Sequence, residues 1–282
     1  MRSAWADRAP LIEQRTRVAR DALAVRPGRA GRFVYSNVGY VVVGAAIDRL
    51  AGEPYEAALR THLLDPLGIR SLGYGPPPAL CGHAARLRLG PWLALPGPAL
   101  DPDGPRSDNP AVLSCAGTLH LTLADWATFV AMMLGDGANL LTPRSVERLF
   151  APPAGRGPPM AMGWIATPGS ARSTHAFPGS NTFWAATAML DRRRCRAVLI
   201  ACNDGRSSVL ATSWALAERL IRPGPLDPRR LSRARPRATA ARRELASGGP
   251  LAPRPRDRRA RRGAPRARAR AARPRAATAR PR

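Results

Sequence analysis

The sequence predicts a mixed α/β fold of the α+β kind, in which a helical lobe precedes a lobe built on an antiparallel sheet. Three observations carry this expectation. The first part of the chain is punctuated by helix starts and stops around apolar runs. Near residue 155 the pattern changes to short runs rich in Trp, Val, Ile and Phe, bounded by Gly, Asp and Pro. From residue 223 onward the chain is mostly Arg, Ala and Pro, an alphabet that cannot bury enough apolar surface to offset its ordering entropy. The expected organisation is a domain over 1–222, with a helical lobe at about 15–155 and a sheet lobe at about 156–222, followed by a disordered tail over 223–282.

The elements come in order. The stretch FVYSNVGYVVVGAAIDRLAG, residues 33–52, reads as a helix from Val38. Ser36 or Asn37 is available to accept from the free N–H groups of the first turn, and Gly52 is a natural stop. The run is apolar nearly all round, which predicts a buried helix. Pro54-Tyr55 opens a second helix that ends at Asp65-Pro66. Residues 73–113, with Pro76-Pro77-Pro78 and DPDGPRSDNP, read as one long loop. LTLADWATFVAMML begins with a capping box, Thr122 to Asp125, and LTPRSVERLF starts with Thr142 as cap and Pro143 in the first turn. PMAMGWIAT, NTFWAATAMLD and CRAVLIACND read as three strands, and Ser207 to Ile221 as a helix covering one face of their sheet. The other face and one edge of such a sheet are expected to need a partner.

Charge is unevenly distributed. The formal net charge is +26, and all 45 basic residues are Arg. The tail permits two readings. One is a basic arm for nucleic acid or anionic surfaces. The other is GC-rich coding sequence read through or out of frame, which the Arg/Ala/Pro alphabet resembles and which the absence of any aromatic residue for base stacking favours. The first residues, MRSAWADRAPLIEQRTRVARD, lack the apolar core of a signal peptide, so the localisation stays open. No apolar run approaches membrane-spanning length.

The four Cys, at 81, 115, 195 and 202, include no CxxC pair. Cys195 and Cys202 lie on one predicted strand with opposite orientation and cannot bridge each other. Cys81 and His83 with Cys115 and His120 match no common zinc-ligand spacing, so no metal site is expected.

Tyr35-Ser36-Asn37 is by itself explained as the cap of a helix. Its context adds a second reading. In order come YSNVGYVVVGAAIDRLAG, a proline-rich loop, DNPAVLSCAGTLHLTLADWATF, LLTPRSVERL, GWIA, HAFPGSNTFW, VLIACNDG and a terminal helix. Over about residues 15–221 this resembles the serine β-lactamase superfamily: class C-type β-lactamases, penicillin-binding proteins and their esterase relatives. The resemblance implies the β-lactamase/transpeptidase-like fold. It also implies hydrolysis of β-lactams, peptides or small esters through an acyl-serine intermediate, with a small-molecule substrate and no metal or cofactor.

The family uses three motifs, and the resemblance carries two of them onto this chain. Tyr35 and Asn37 fit its Tyr-x-Asn, with the Tyr moving protons and the Asn holding the substrate amide. Gly179-Ser180-Asn181 fits the end of the strand motif Lys/His-x-Gly and the two residues after it. The Ser180 N–H is then the oxyanion donor, with His175, Gly179 and Asn181 on the substrate side. His175 stands two residues too early for that motif, and Pro178 suggests a strand edge or bulge. The Ser-x-x-Lys nucleophile motif has no counterpart: the chain has no Lys, and Ser36 has Gly39 at that spacing. The nucleophile segment is therefore expected to be missing, together with amino-terminal strands of the sheet. A tyrosine with an ordinary pKa of ~10 acts as a base near neutrality only beside a cation, and Arg can lend charge but accepts no proton. The expectation is an inactive serine hydrolase corner. The alternative is a non-catalytic remnant or binding module, with the tail as nucleic-acid contact.

Overall fold

The computed structural model describes residues 4–26, 28, 33–78, 80–89, 93–135, 140–153, 160–166 and 174–222. The expected disordered tail lies outside the described residues.

Helix α1, Leu11–Leu23, opens the chain and packs on α2, Asn37–Ala51. Ser36 caps α2, its Oγ accepting from the Gly39 N–H at 3.2 Å, and Gly52 ends it in the left-handed region at φ 72°. The expectation of burial all round is corrected. Val41, Gly44 and Asp48 form the buried stripe, whereas Tyr40, Val43 and Leu50 are 42, 52 and 87 % exposed. Composition cannot show which sides of an apolar helix find a neighbour; here α1 and the short helices at Tyr55–Leu59 and Ser114–Gly117 pack against it.

Helix α3, Tyr55–Leu59, starts after Pro54 and continues as one π-helical turn, Arg60–Leu64. The expected long loop is also corrected. Within it β1, Gly73–Tyr74, pairs with β4, Leu119–His120, and β2, Gly82–Leu89, forms an antiparallel hairpin with β3, Leu93–Leu100. Pro96 and Pro98 hid β3 from a propensity reading, but a two-stranded ribbon has two free edges where proline's missing N–H costs little. Helix α4, Ser114–Gly117, completes this region.

The two later caps form as read. Thr142 accepts from the Ser145 N–H at 3.1 Å at the start of α6, Pro143–Phe150. Thr122 accepts from the Asp125 N–H at 3.3 Å at the start of α5, Leu123–Leu134. The return arm of that capping box is taken over: Ser71 Oγ receives the Thr122 N–H and donates to the Asp125 carboxylate, which also accepts from the Arg70 and Ser71 N–H groups.

The main sheet has four strands rather than three, in the order β5, Ile165–Ala166; β6, Thr174–Ser180; β7, Ala185–Asp191; β8, Arg196–Cys202, all antiparallel. The unexpected strand is β6, which carries His175 to Ser180. β5 pairs only with His175 and Ala176, so Pro178 lies beyond its end, at a locally free edge. Helix α7, Ser207–Leu220, covers one face through Trp214 and Ala217, packed on Ala176 and Met189. The expectation that the other face needs a partner is corrected: Val130 and Met133 of α5 and Val146 and Phe150 of α6 pack there against Ala188 and Leu190. The helical lobe itself fills that side, which no strand-by-strand reading reveals.

Candidate functional site

The two motif segments sit on different lobes; Tyr35 and Asn37 flank the local cap at Ser36, whereas the turn after Ser180 is held by backbone from elsewhere in the chain. At the end of β6 the turn after Ser180 is clamped. Ser180 Oγ donates to the Gly205 carbonyl at 3.2 Å and accepts from the Thr182 N–H at 3.1 Å. Asn181 Oδ1 accepts from the Phe183 and Trp184 N–H groups at 3.3 and 3.0 Å. His83 donates its backbone N–H to the Phe183 carbonyl at 3.0 Å, and its carbonyl accepts from the Gly205 N–H at 2.9 Å. A side chain at Gly205 would run into the Thr182 backbone, so this approach requires glycine. Thr182 is held at φ 89°, a strained value for a β-branched residue.

Gly179 and Phe177 of β6, Trp126 of α5, Trp164 and Gly163 line a cavity of about 280 Å³. This aromatic slot was not legible as a unit, because its walls come from four separated segments, the fourth being Ala186 and Ala188 of β7. At the Lys/His-x-Gly spacing the residue is Phe177, not His175. The placement of His175 on the substrate side is therefore corrected. It is buried at the far end of β6, with Nε2 3.2 Å from the Phe150 carbonyl oxygen and its ring 4.7 Å from the Phe150 ring. It belongs to the packing between α6 and the sheet. Asn181 has its amide committed: besides the turn, Nδ2 donates to Asp108 Oδ1 at 2.7 Å. Asp108 was not singled out from the sequence, although it lies in the DPDGPRSDNP stretch that was.

Tyr35 stands just before α2, half exposed, and Asn37 is the first residue of that helix. Burial, then the neighbouring Tyr40, push the Tyr35 phenol up from its ordinary value. Among the described residues no cation acts to lower it. Tyr40 reaches across toward Gly163, where a Cβ would lie 3.6 Å from its hydroxyl, so α2 meets the wall of the aromatic slot through Tyr40.

The cationic group near α2 is elsewhere. Arg15 of α1 is completely buried and uses all five N–H donors. Nε and Nη2 donate to the Asp48 carboxylate at 2.7 and 2.8 Å, Nη1 and Nη2 to Glu56 at 2.8 and 3.0 Å, and Nη1 to Ser114 Oγ at 3.2 Å. Burial opposes its charge, but the bonds to Asp48 and Glu56 outweigh this and raise its pKa. Among the described residues no three His, Cys, Asp or Glu side chains converge as metal ligands.

Comparison with known proteins agrees with this architecture. The chain is 35 % identical over 104 residues to penicillin-binding protein 4 of Amycolatopsis lactamdurans, covering 36 % of this chain and 26 % of that protein. Its fold is similar to that of the octameric penicillin-binding protein homologue from Pyrococcus abyssi, with TM-score 0.55 and 20 % identity over 76 % of this chain and 49 % of the other. It is also similar to a penicillin binding protein from Bacillus halodurans, with TM-score 0.55 and 16 % identity over 72 % of this chain and 62 % of that one. The chain thus spans between about a quarter and three fifths of these proteins. The Beta-lactamase family model matches residues 3–222, and the chain belongs to that family of serine hydrolases.

Proposed function

We propose that this chain carries the substrate-facing part of a serine hydrolase site and does not turn over substrate by itself. In this reading the Ser180 N–H is the oxyanion donor, Asn37 holds the substrate amide, Tyr35 is the proton carrier, and the Trp126–Trp164–Phe177 slot beside Gly179 receives an apolar group of the substrate. The substrate class is a β-lactam, a peptide or a small ester, and the names of the relatives make penicillin the first probe.

The observation that supports the inactive state is the surroundings of Tyr35. A phenol serves as base near pH 7 only if a cation pulls its pKa down from ~10. Tyr35 is shifted the other way, by burial and by Tyr40. The guanidinium of Arg15, which packs against α2, is fully engaged by Asp48, Glu56 and Ser114. The chain also holds no Ser with Lys three residues on. Ser36, the hydroxyl adjacent to Tyr35, accepts the Gly39 N–H as helix cap.

The test is incubation with a fluorescent penicillin and with a nitrophenyl ester. The expected result is no covalent label by intact mass and no ester hydrolysis above background. A stoichiometric acyl adduct on Ser36, abolished by Ser36→Ala and by Tyr35→Phe, would overturn the reading.

A further inference from the structure

The aromatic slot stays open because part of its lining is made of small residues. The cross-strand pairs Phe177–Ala188 and Gly179–Ala186 of β6 and β7 lie on one face of the sheet. Three of these four positions carry a methyl group or only a hydrogen, and the rest of the lining is Trp126, Trp164 and Gly163. Protein interiors leave few voids larger than a water molecule, yet here about 280 Å³ remains. Trp164 and Ala188 are buried, whereas Trp126, Phe177 and Gly179 are half-buried. The slot therefore runs from the surface into the core that α5 and α6 form with the sheet.

The lining narrows the occupant. It consists of aromatic, Ala and Gly residues, with no ionisable side chain among them. At the position where the family's strand motif has Lys or His, this chain has Phe177. A carboxylate entering the slot would give up its water and find no counter-charge. The faces of the aromatic rings, which carry partial negative charge, would repel it. An ammonium would be attracted to those faces, but the lining holds no carboxylate to replace its hydration. A neutral aromatic group avoids both costs and gains the burial of its apolar surface. Apolar cavities of this order stay dry and take up small aromatic molecules. The volume is just below the range for drug-sized ligands, which suits one ring with a short chain.

We propose that the slot selects substrates by charge: it takes an uncharged aromatic group and turns away a carboxylate, with Phe177 as the residue that sets this preference. The inference rests on the reading of the Ser180 N–H as oxyanion donor, because Gly179 of the slot directly precedes Ser180. It narrows the class of β-lactam, peptide or small ester to esters and amides whose slot-bound group is neutral and carries one ring. A Lys or His at position 177 would supply a counter-charge there and favour the anion instead.

The experiment is fluorescence titration of the full chain, read through Trp126 and Trp164, with three probes of similar shape: phenylacetamide, phenylacetate and 2-phenylethylamine. Saturable binding of phenylacetamide is expected, with phenylacetate and the amine each about tenfold weaker or undetectable. Phe177→Lys is expected to strengthen phenylacetate about tenfold and to weaken phenylacetamide. Ala186→Leu fills the slot without adding charge and carries the test if Phe177→Lys does not fold; it is expected to weaken phenylacetamide about tenfold. No binding of phenylacetamide, equal or tighter binding of either charged probe, or phenylacetamide affinity unchanged by Ala186→Leu would overturn the proposal. These readouts need no nucleophile, so they are separate from the test of the hydrolase reading. An acyl adduct on Ser36 would overturn that reading and leave the charge preference standing, whereas equal affinity for amide and carboxylate would do the reverse.

Discussion

Helix α2 presents Asp48 on its buried side near the carboxy-terminal end, where Arg15 donates to it through two nitrogens and Tyr55 adds a backbone N–H at 2.6 Å. Its amino-terminal end presents Tyr35, half exposed, shifted toward the neutral phenol and without a cation among the described residues. The same helix thus has one end where the polar groups are matched and one where the family's proton carrier stands without an activator. The difference teaches where charge in this lobe is used. The buried guanidinium ties α1, α2, α3 and α4 together through its two carboxylate partners and Ser114, and its pull on the neighbouring tyrosines is outweighed by burial. Tyr55 makes the point directly. Its ring lies 5.9 Å from the Arg15 guanidinium carbon, which pulls the phenol down, yet burial first and then Cys115 and Glu56 outweigh this and push it up to about 12.

The largest break in this comparison is Arg15→Leu. It strands Asp48 and Glu56 with no counter-charge, Asp48 almost completely buried, and is expected to cost about 3–5 kcal/mol of stability in urea denaturation. A loss below about 1 kcal/mol would mean that the cluster behaves like a surface pair and that the contrast between the two ends is unfounded.

Alkaline titration sharpens the comparison at intermediate size. Tyr35 and Tyr55 have folded-state pKa values raised above the unfolded one. Such a group contributes stability that is fully present below pH ~10 and is lost as pH rises through its folded value. For Tyr55 the window is therefore about 10 to 12, with a loss on the order of 2 kcal/mol. Thermal unfolding from pH 8 to 11.5 should show a downward slope that flattens in Tyr55→Phe and, less so, in Tyr35→Phe. Tyrosinate absorbance that emerges near neutrality and is lost in Tyr35→Phe would show an activated phenol and overturn the picture of the amino-terminal end.

Ser36→Ala gives the smallest expected effect. Loss of the cap bond to Gly39 should lower stability by about 1 kcal/mol and leave the response to penicillin unchanged. A variant as stable as the parent would remove the cap role of Ser36.

Much of the local structure was readable. Thr122 and Thr142 were identifiable as caps, and the cap of α2 as Ser36 or Asn37, because a cap needs only its own side chain and the N–H groups two or three residues on; the structure selects Ser36. Gly52 was readable as a stop for the same local reason. The order of motifs placed the chain in its family, because Tyr35, Asn37 and the Gly179-Ser180-Asn181 turn are short signals whose sequence order survives without contacts.

What tertiary structure alone decided is every matter of partnership. Whether an apolar helix is buried all round depends on neighbours, so Val43 and Leu50 could be exposed in a run that composition reads as core. The hairpin over 82–100 escaped a propensity reading because its prolines are tolerated only where an edge is free. Arg15 is indistinguishable in sequence from the other arginines; its role arises from Asp48, Glu56 and Ser114, which lie 33, 41 and 99 residues away along the chain. His175 shared a motif's residue type, but β6 carries it into the packing against Phe150 and leaves Phe177 at the motif's spacing. Cap and turn energies are settled within a few residues, whereas burial and charge pairing are settled by groups that only the folded chain brings together.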